Sequence, residues 1–187
     1  MHTIAEILTD AEHRMKGALD ATTEEFRHIR TGRANPMLVD GIMVDYFGTP
    51  TPLNQIGNVS APEPRLLVIA PWDKSMLGPI SKAILNSDLS LNPSNDGQVI
   101  RLVLPALTED RRKEFVKMAS TKAEGGRIAV RNVRRDAIEH LKRLEKEHLA
   151  SEDDVKRAHD KAQKITDEAI KKIDAAFEIK VEEIMEV

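Results

Sequence analysis

Four arginines close together are the residues of this chain best suited to chemistry. Arg127, Arg131, Arg134 and Arg135 follow one another at spacings of four, three and one. They surround the run Ala129-Val130-Arg131-Asn132-Val133-Arg134-Arg135-Asp136-Ala137. On a helix these spacings put them on one face. No Asp or Glu occurs among the eleven residues from Gly125 to Arg135. A guanidinium is a planar fork that binds phosphate or carboxylate with two parallel hydrogen bonds. The chemistry offered is anion recognition, and a cationic face without interleaved acids suits a polyanion. Arg30 and Arg33 lie at the expected end of the first helix and extend the same region if that end is close by. RNA is favoured over DNA, because no groove-reading module is visible and phosphate contacts plus shape suffice. The opposing reading, that these arginines pair with an acidic helix of the same protein, stays open at this point.

Residue patterns for catalysis are missing. The histidines are His2, His13, His28, His140, His148 and His159, and no two are three or four apart, so no helical metal pair is expected. Gly125-Gly126 sits inside a helical pattern with no strand leading into it, unlike a phosphate-cradling loop. It reads as a close helix contact or a local weak point. Ser75, Ser81 and Asp73 have no histidine-based activation pattern beside them and read as caps and turns. Neither a metal nor a cofactor is expected, and the chain reads as a non-enzyme.

The elements that position the arginines follow from hydrophobic spacing. The 187 residues are 41% hydrophobic but only 3% aromatic, so any core is aliphatic and thin, and 32% charge suits long solvated helices. The absence of cysteine leaves no disulfide framework. The N-terminus is already acidic and periodic, unlike a signal or transit peptide, and no apolar run is long enough to span a membrane. A cytoplasmic location is expected. Ile4, Leu8, Ala11, Met15, Ala18, Thr22, Phe26 and Ile29 recur every three or four residues and predict an amphipathic helix ending near Thr31-Gly32, with Gly32 as its C-cap. Val116, Ala119, Ala123, Gly126, Val130, Val133, Ala137, Leu141 and Leu144 predict a second helix, its seam sustained for about four heptads. Thr108 is its expected N-cap. Ser151-Glu152-Asp153-Asp154 opens a third helix with the stripe Val155, Ala158, Ala162, Ile165, Ala169, Ile173, Phe177, Val181 and Ile184. Helices of 35–40 residues would be roughly 50–60 Å long.

Between the first two helices the texture changes. Residues 37–39 and 42–47 read as strands and residues 48–52 as a turn. Leu66–Ala70 and Val99–Leu104 read as further strands, with a short helix over Lys74–Asn86 between them. None of the long helices can bury its stripe alone. The expected fold class is therefore α+β with two domains: an elongated antiparallel three-helix bundle (residues 1–30 and 107–187) and a small β-rich α+β domain (31–106) inserted between helices 1 and 2. The two crossings, near 30–34 and 104–108, form an expected hinge that includes Thr31, Gly32, Arg33, Pro105 and Ala106.

Charge is segregated along this plan. The net charge is only −3, but residues 111–135 carry nine Lys/Arg against two Asp/Glu, and residues 151–187 carry seven against eleven.

Five stretches together resemble the ribosome recycling factor family. They are Ile29-Arg30-Thr31-Gly32-Arg33-Ala34, Tyr46-Phe47-Gly48-Thr49-Pro50-Thr51-Pro52-Leu53, Leu91-Asn92-Pro93, Leu107-Thr108-Glu109-Asp110-Arg111-Arg112-Lys113 and Val130-Arg131-Asn132-Val133-Arg134-Arg135-Asp136-Ala137. They occur in the family's order over nearly the whole chain. Gly125-Gly126 departs from a pattern in which many relatives carry at least one helix former. The resemblance implies an L-shaped, tRNA-like molecule that acts after translation termination. Its bundle would bind large-subunit rRNA between the tRNA sites. With elongation factor G and GTP it would split the ribosome, releasing mRNA and tRNA, while the partner alone supplies the GTPase. It implies rRNA contacts at Arg30, Arg131 and Arg134. Face geometry and charge add Arg112, Arg127 and Arg135. The inserted domain would be the part on which elongation factor G acts, and the protein is expected to be a monomer.

Overall fold

The structure is a computed structural model that describes residues 3–186. His2, one of the histidines weighed above, lies outside them. The chain divides into two compact units. One extends to Thr31 and resumes at Glu109–Glu186; the other is Gly32–Thr108.

The first unit holds three long helices, α1 (Ile4–Arg27), α3 (Glu109–Lys146) and α4 (Glu152–Met185). Helix α1 starts in a capping box: the Thr3 hydroxyl accepts from the Glu6 N–H, and the Glu6 carboxylate accepts from the Thr3 N–H. It ends at Arg27, with His28 as cap, four residues short of Gly32. Gly32 is thus not the C-cap expected from its position. Its φ of +72° serves a later bend, where a side chain at 32 would meet Leu107.

The α3 seam is buried as the heptad spacing predicts, from Ala119 through Ala123, Gly126, Val130, Val133, Ala137 and Leu141 to Leu144. Much of this core is alanine: Ala11, Ala119, Ala123, Ala137, Ala158, Ala162 and Ala169 join one cluster with Met15, Leu141 and Ile173 or lie fully buried beside it. Small residues let helices approach closely, so the bundle closes with few aromatics. Phe26 and Phe177 meet as a tilted ring pair, at 6.4 Å between centroids and 42° between planes. The buried hydroxyls of Thr22 and Thr166 donate to carbonyls one turn earlier, Ala18 and Ala162, both at 2.7 Å.

Helix α3 stops in a hydrogen-bonded αL cap. The Leu149 N–H reaches back to the Leu144 carbonyl and the His148 N–H to Glu145, with His148 at φ +55°. Ser151 then caps α4 through the Asp154 N–H.

The second unit contains a hairpin, β1 (Met43–Tyr46) and β2 (Thr49–Pro52), and an antiparallel sheet in the order β3-β4-β6-β5. Its strands are β3 (Gly57–Glu63), β4 (Leu66–Pro71), β5 (Pro93–Asn95) and β6 (Ile100–Val103). Leu67 and Ile69 on β4 face Leu102 and Ile100 on β6, and all four are fully buried. Helix α2 (Leu77–Leu85) adds Leu77, Ile80 and Ile84 to the same core.

Two expectations for this unit fail. Residues 37–39 are not a strand but belong to a 3-10 turn, Pro36–Val39. Asn35 caps it through the Met37 N–H, and Pro36 fixes its first φ. Residues 48–52 are not all turn. Only Phe47 and Gly48 are, both at positive φ, and Thr49–Pro52 pairs with β1. A two-residue hairpin alternates bonded and non-bonded pairs from its closing pair Tyr46–Thr49. Pro50 and Pro52 fall on the non-bonded positions, where a missing N–H breaks no rung.

Candidate nucleic-acid interface

Contacts between helices set where each arginine lies. Glu25 pairs with Lys122, a side chain at Gly126 would meet Thr22, and Arg14 pairs with Asp136 at 2.7 Å. These contacts run antiparallel, one number rising as the other falls. Arg30 lies three residues past the end of α1, beyond the Glu25–Lys122 contact, and at ~1.5 Å per residue along α3 Lys122 is itself roughly 18 Å from Arg134. Arg112 lies roughly 22 Å from Arg127 on the same reasoning. The six arginines of the expected site are therefore not one cluster. Arg30 and Arg112 belong to one end of the bundle, and Arg127, Arg131, Arg134 and Arg135 form a ridge farther along α3.

The ridge runs beside α4. Arg127 Nε donates to Asp174 Oδ1 on α4 at 2.7 Å, and its Nη1 to Glu124 Oε2 at 3.0 Å. Its side chain is only 23% exposed. Asp174, and then Glu124, push the Arg127 guanidinium pKa up. Arg131 Nη2 donates to the other oxygen of Glu124 at 2.8 Å, with a 43% exposed side chain. One carboxylate thus serves two guanidiniums. Hydrogen bonds from Arg127 first and Arg131 second hold the Glu124 carboxyl below its ordinary range.

The other two arginines meet neutral acceptors. Arg134 Nη1 donates to the side-chain oxygen of Gln163 on α4 at 2.9 Å. Gln163 Nε2 donates in turn to Asp167 Oδ1 at 2.8 Å. Arg134 Nε is shielded from solvent and has no hydrogen-bond partner. Arg135 is exposed and donates to the Asn132 side chain on its own helix. Arg30 is exposed, just past the buried Ile29. Arg112, in the first turn of α3, is half-buried.

The internal-pairing reading of the arginine face therefore describes only part of it. Arg127 does pair with the acidic α4. Arg131 pairs with Glu124, the residue immediately before the acid-free window. Arg134 and Arg135 are positioned without being neutralised. Sequence reasoning missed Glu124, Asn132, Gln163, Asp167 and Asp174. Glu124 had a readable signal, standing three and seven residues before Arg127 and Arg131. The α4 partners had none, because they depend on the register of two antiparallel helices.

Fold and surface chemistry define a class: an α+β two-domain protein whose three-helix bundle carries a ridge of arginines. The family model described as ribosome recycling factor matches residues 22–185. The ribosome-recycling factor of Syntrophomonas wolfei is 55% identical over 184 residues, covering 98% of this chain and all of that one. That of Clostridioides difficile is 56% identical over 182 residues, covering 97% and 98%. A solution structure of the ribosome recycling factor superposes with a TM-score of 0.76 at 41% identity, both chains being covered in full. Another similar structure depicts the T. thermophilus ribosome recycling factor and the E. coli elongation factor G bound to the E. coli post-termination complex. It shares 46% identity and a TM-score of 0.66, with 98% of this chain and all of that one covered. This chain belongs to the ribosome recycling factor family, whose members are translation factors and not enzymes.

Proposed function

We propose that this protein recycles ribosomes after translation termination. The bundle binds large-subunit rRNA. With elongation factor G and GTP, the protein promotes splitting of the post-termination ribosome into subunits and release of mRNA and tRNA. It works as a monomer in the cytoplasm; no helix among the described residues is long and apolar enough to cross a membrane.

The observation that carries this reading is the α3 ridge. Arg134 and Arg135 are fixed by neutral acceptors and keep their full charge for phosphate. Arg131 adds a half-exposed guanidinium, and Arg30 and Arg112 supply a second point of attachment toward the other end of the bundle. Arg127, bound by two acids, mainly ties α3 to α4 and supports the ridge from beneath. The ribosome-bound relative supports the choice of partners.

The inserted domain is the part on which elongation factor G acts. Both crossings between the units start from a fixed base inside that domain: the Ala34 N–H donates to the Pro64 carbonyl at 2.6 Å and the Leu104 N–H to Arg65 at 2.8 Å. Thr31, Gly32 and Arg33 on one crossing, and Pro105 and Ala106 on the other, are the hinge. The bundle serves as a lever anchored on rRNA, and the domain swings when the motor factor moves.

Subunit splitting tests this. Post-termination ribosomes mixed with this protein, elongation factor G and GTP should dissociate into subunits, as read by light scattering, and omission of any one component should abolish the change. Unchanged scattering with all components present would refute the proposed function.

A further inference from the structure

Gln163 on α4 stands between a cation and an anion and touches both. Its side-chain oxygen accepts from Arg134 Nη1 at 2.9 Å, and its nitrogen donates to Asp167 Oδ1 at 2.8 Å. A guanidinium can only donate and an ionised carboxylate can only accept, so the amide has one workable orientation. Asp167 therefore sets which end of Gln163 faces Arg134. A carboxylate at 163 would neutralise the arginine and face Asp167 with a like charge one turn away. An apolar side chain would leave Arg134 unsupported. Burial of Arg134 Nε holds the inner edge of the guanidinium against the bundle, and Gln163 fixes Nη1. Among the described residues Nη2 has no protein partner.

We infer that Gln163, aligned by Asp167, is a positioning residue for ribosome docking. It orients the Arg134 guanidinium toward rRNA phosphate without cancelling its charge. This rests on the proposed reading of Arg134 as an rRNA contact. It differs from what Glu124 and Asp174 do, since those acids hold Arg127 and Arg131 at the expense of their net charge.

The test is binding of the full-length protein to ribosomes over a range of salt concentrations, with thermal melts confirming folding. Gln163→Met keeps the charge of Arg134 and removes its support. It should weaken binding roughly threefold to tenfold, the range of one lost net hydrogen bond, with the wild-type salt slope retained. Gln163→Glu should lower that slope by about one, as losing one phosphate contact does. In an Arg134→Ala background, Gln163→Met should have no further effect. Should Gln163→Met not fold, Asp167→Ala on the exposed face of α4, which removes the acceptor that aligns Gln163, replaces it and should weaken binding in the same arginine-dependent way.

The outcomes separate. Normal binding by Gln163→Met overturns the inference while leaving Arg134 as a contact. So does a loss of equal size in the Arg134→Ala background, which would mean that Gln163 touches the ribosome itself or only supports the fold. So does an unchanged slope for Gln163→Glu. Normal binding by Arg134→Ala on its own would instead remove the docking reading, and the inference with it.

Discussion

Glu124 decides how much positive charge the ridge displays. It stands one residue before the acid-free window and places one oxygen on Arg127 and the other on Arg131. Glu124→Gln removes the negative charge and leaves both arginines in place. It should tighten ribosome binding and steepen its salt dependence, because more counterions are released when uncompensated arginines meet phosphate. Equal slopes for the variant and the wild type would show that Arg131 does not face the nucleic acid, since Arg127 keeps its Asp174 partner in either case. The pH dependence follows from the same pairing. The folded-state pKa of Glu124 is depressed, so its pairing is complete above the ordinary value of about 4.3 and is lost only as pH falls below that. Binding measured from pH 8 to pH 5 should show no step from this residue.

At the scale of elements, the two adjacent glycines of α3 should behave in opposite ways. Nothing lies within 4 Å of a Cβ placed on Gly125, whereas one on Gly126 would stand 2.2 Å from Thr22 Oγ1 and 3.2 Å from Thr22 Cβ. Thr22 is buried and held to the Ala18 carbonyl, so it has no room to give. Gly125→Ala should stabilise the bundle by about 1 kcal/mol through helix propensity. Gly126→Ala should cost about 1–3 kcal/mol in overpacking against a propensity gain of about 1 kcal/mol. Thermal melts check both, and Thr22→Ala should rescue Gly126→Ala. In the sheet, Asp96 organises the turn into β6. It accepts from the Gln98 and Val99 N–H groups and from Arg101, and these bonds, Val99 first, push its pKa well down. Its stabilising effect is present above the unfolded value of about 3.9 and is lost as pH falls below it. Asp96→Asn should therefore flatten the acid limb of the inserted domain's stability, measured by circular dichroism from pH 5 to pH 2. How legible these elements were follows from their partners. The α3 seam was readable residue by residue because a heptad pattern states its own burial. Edge strands β3 and β5 were not: Ser60-Ala61-Pro62-Glu63 and Pro93-Ser94-Asn95 are largely exposed and carry no alternation, so backbone pairing with β4 and β6 alone makes them strands. Thr49–Pro52 read as a turn because its prolines mask a strand that only the hairpin register reveals. The arginines were visible in one dimension, but two of the four acceptors that divide them into neutralised and charged, Asp174 and Gln163, come from α4 and depend on its register against α3.

At the scale of the whole molecule, the proposed function sets two requirements: a bundle that holds on to rRNA and a domain that moves on the crossings. Ala106→Pro would restrict φ at 106 and the backbone of Pro105 before it. Ribosome binding should remain near wild type while splitting slows several-fold; loss of both together would argue against a hinge there. The central claim is that charge on the α3 ridge anchors the protein, and the slope of affinity against salt tests it most directly. Ribosome co-sedimentation of the wild type and Arg134→Ala, repeated across salt concentrations, should show wild-type binding falling steeply with salt. Arg134→Ala should be weaker at every concentration, with a slope shallower by about one and a melting temperature close to wild type. Wild-type affinity and slope in Arg134→Ala would contradict it.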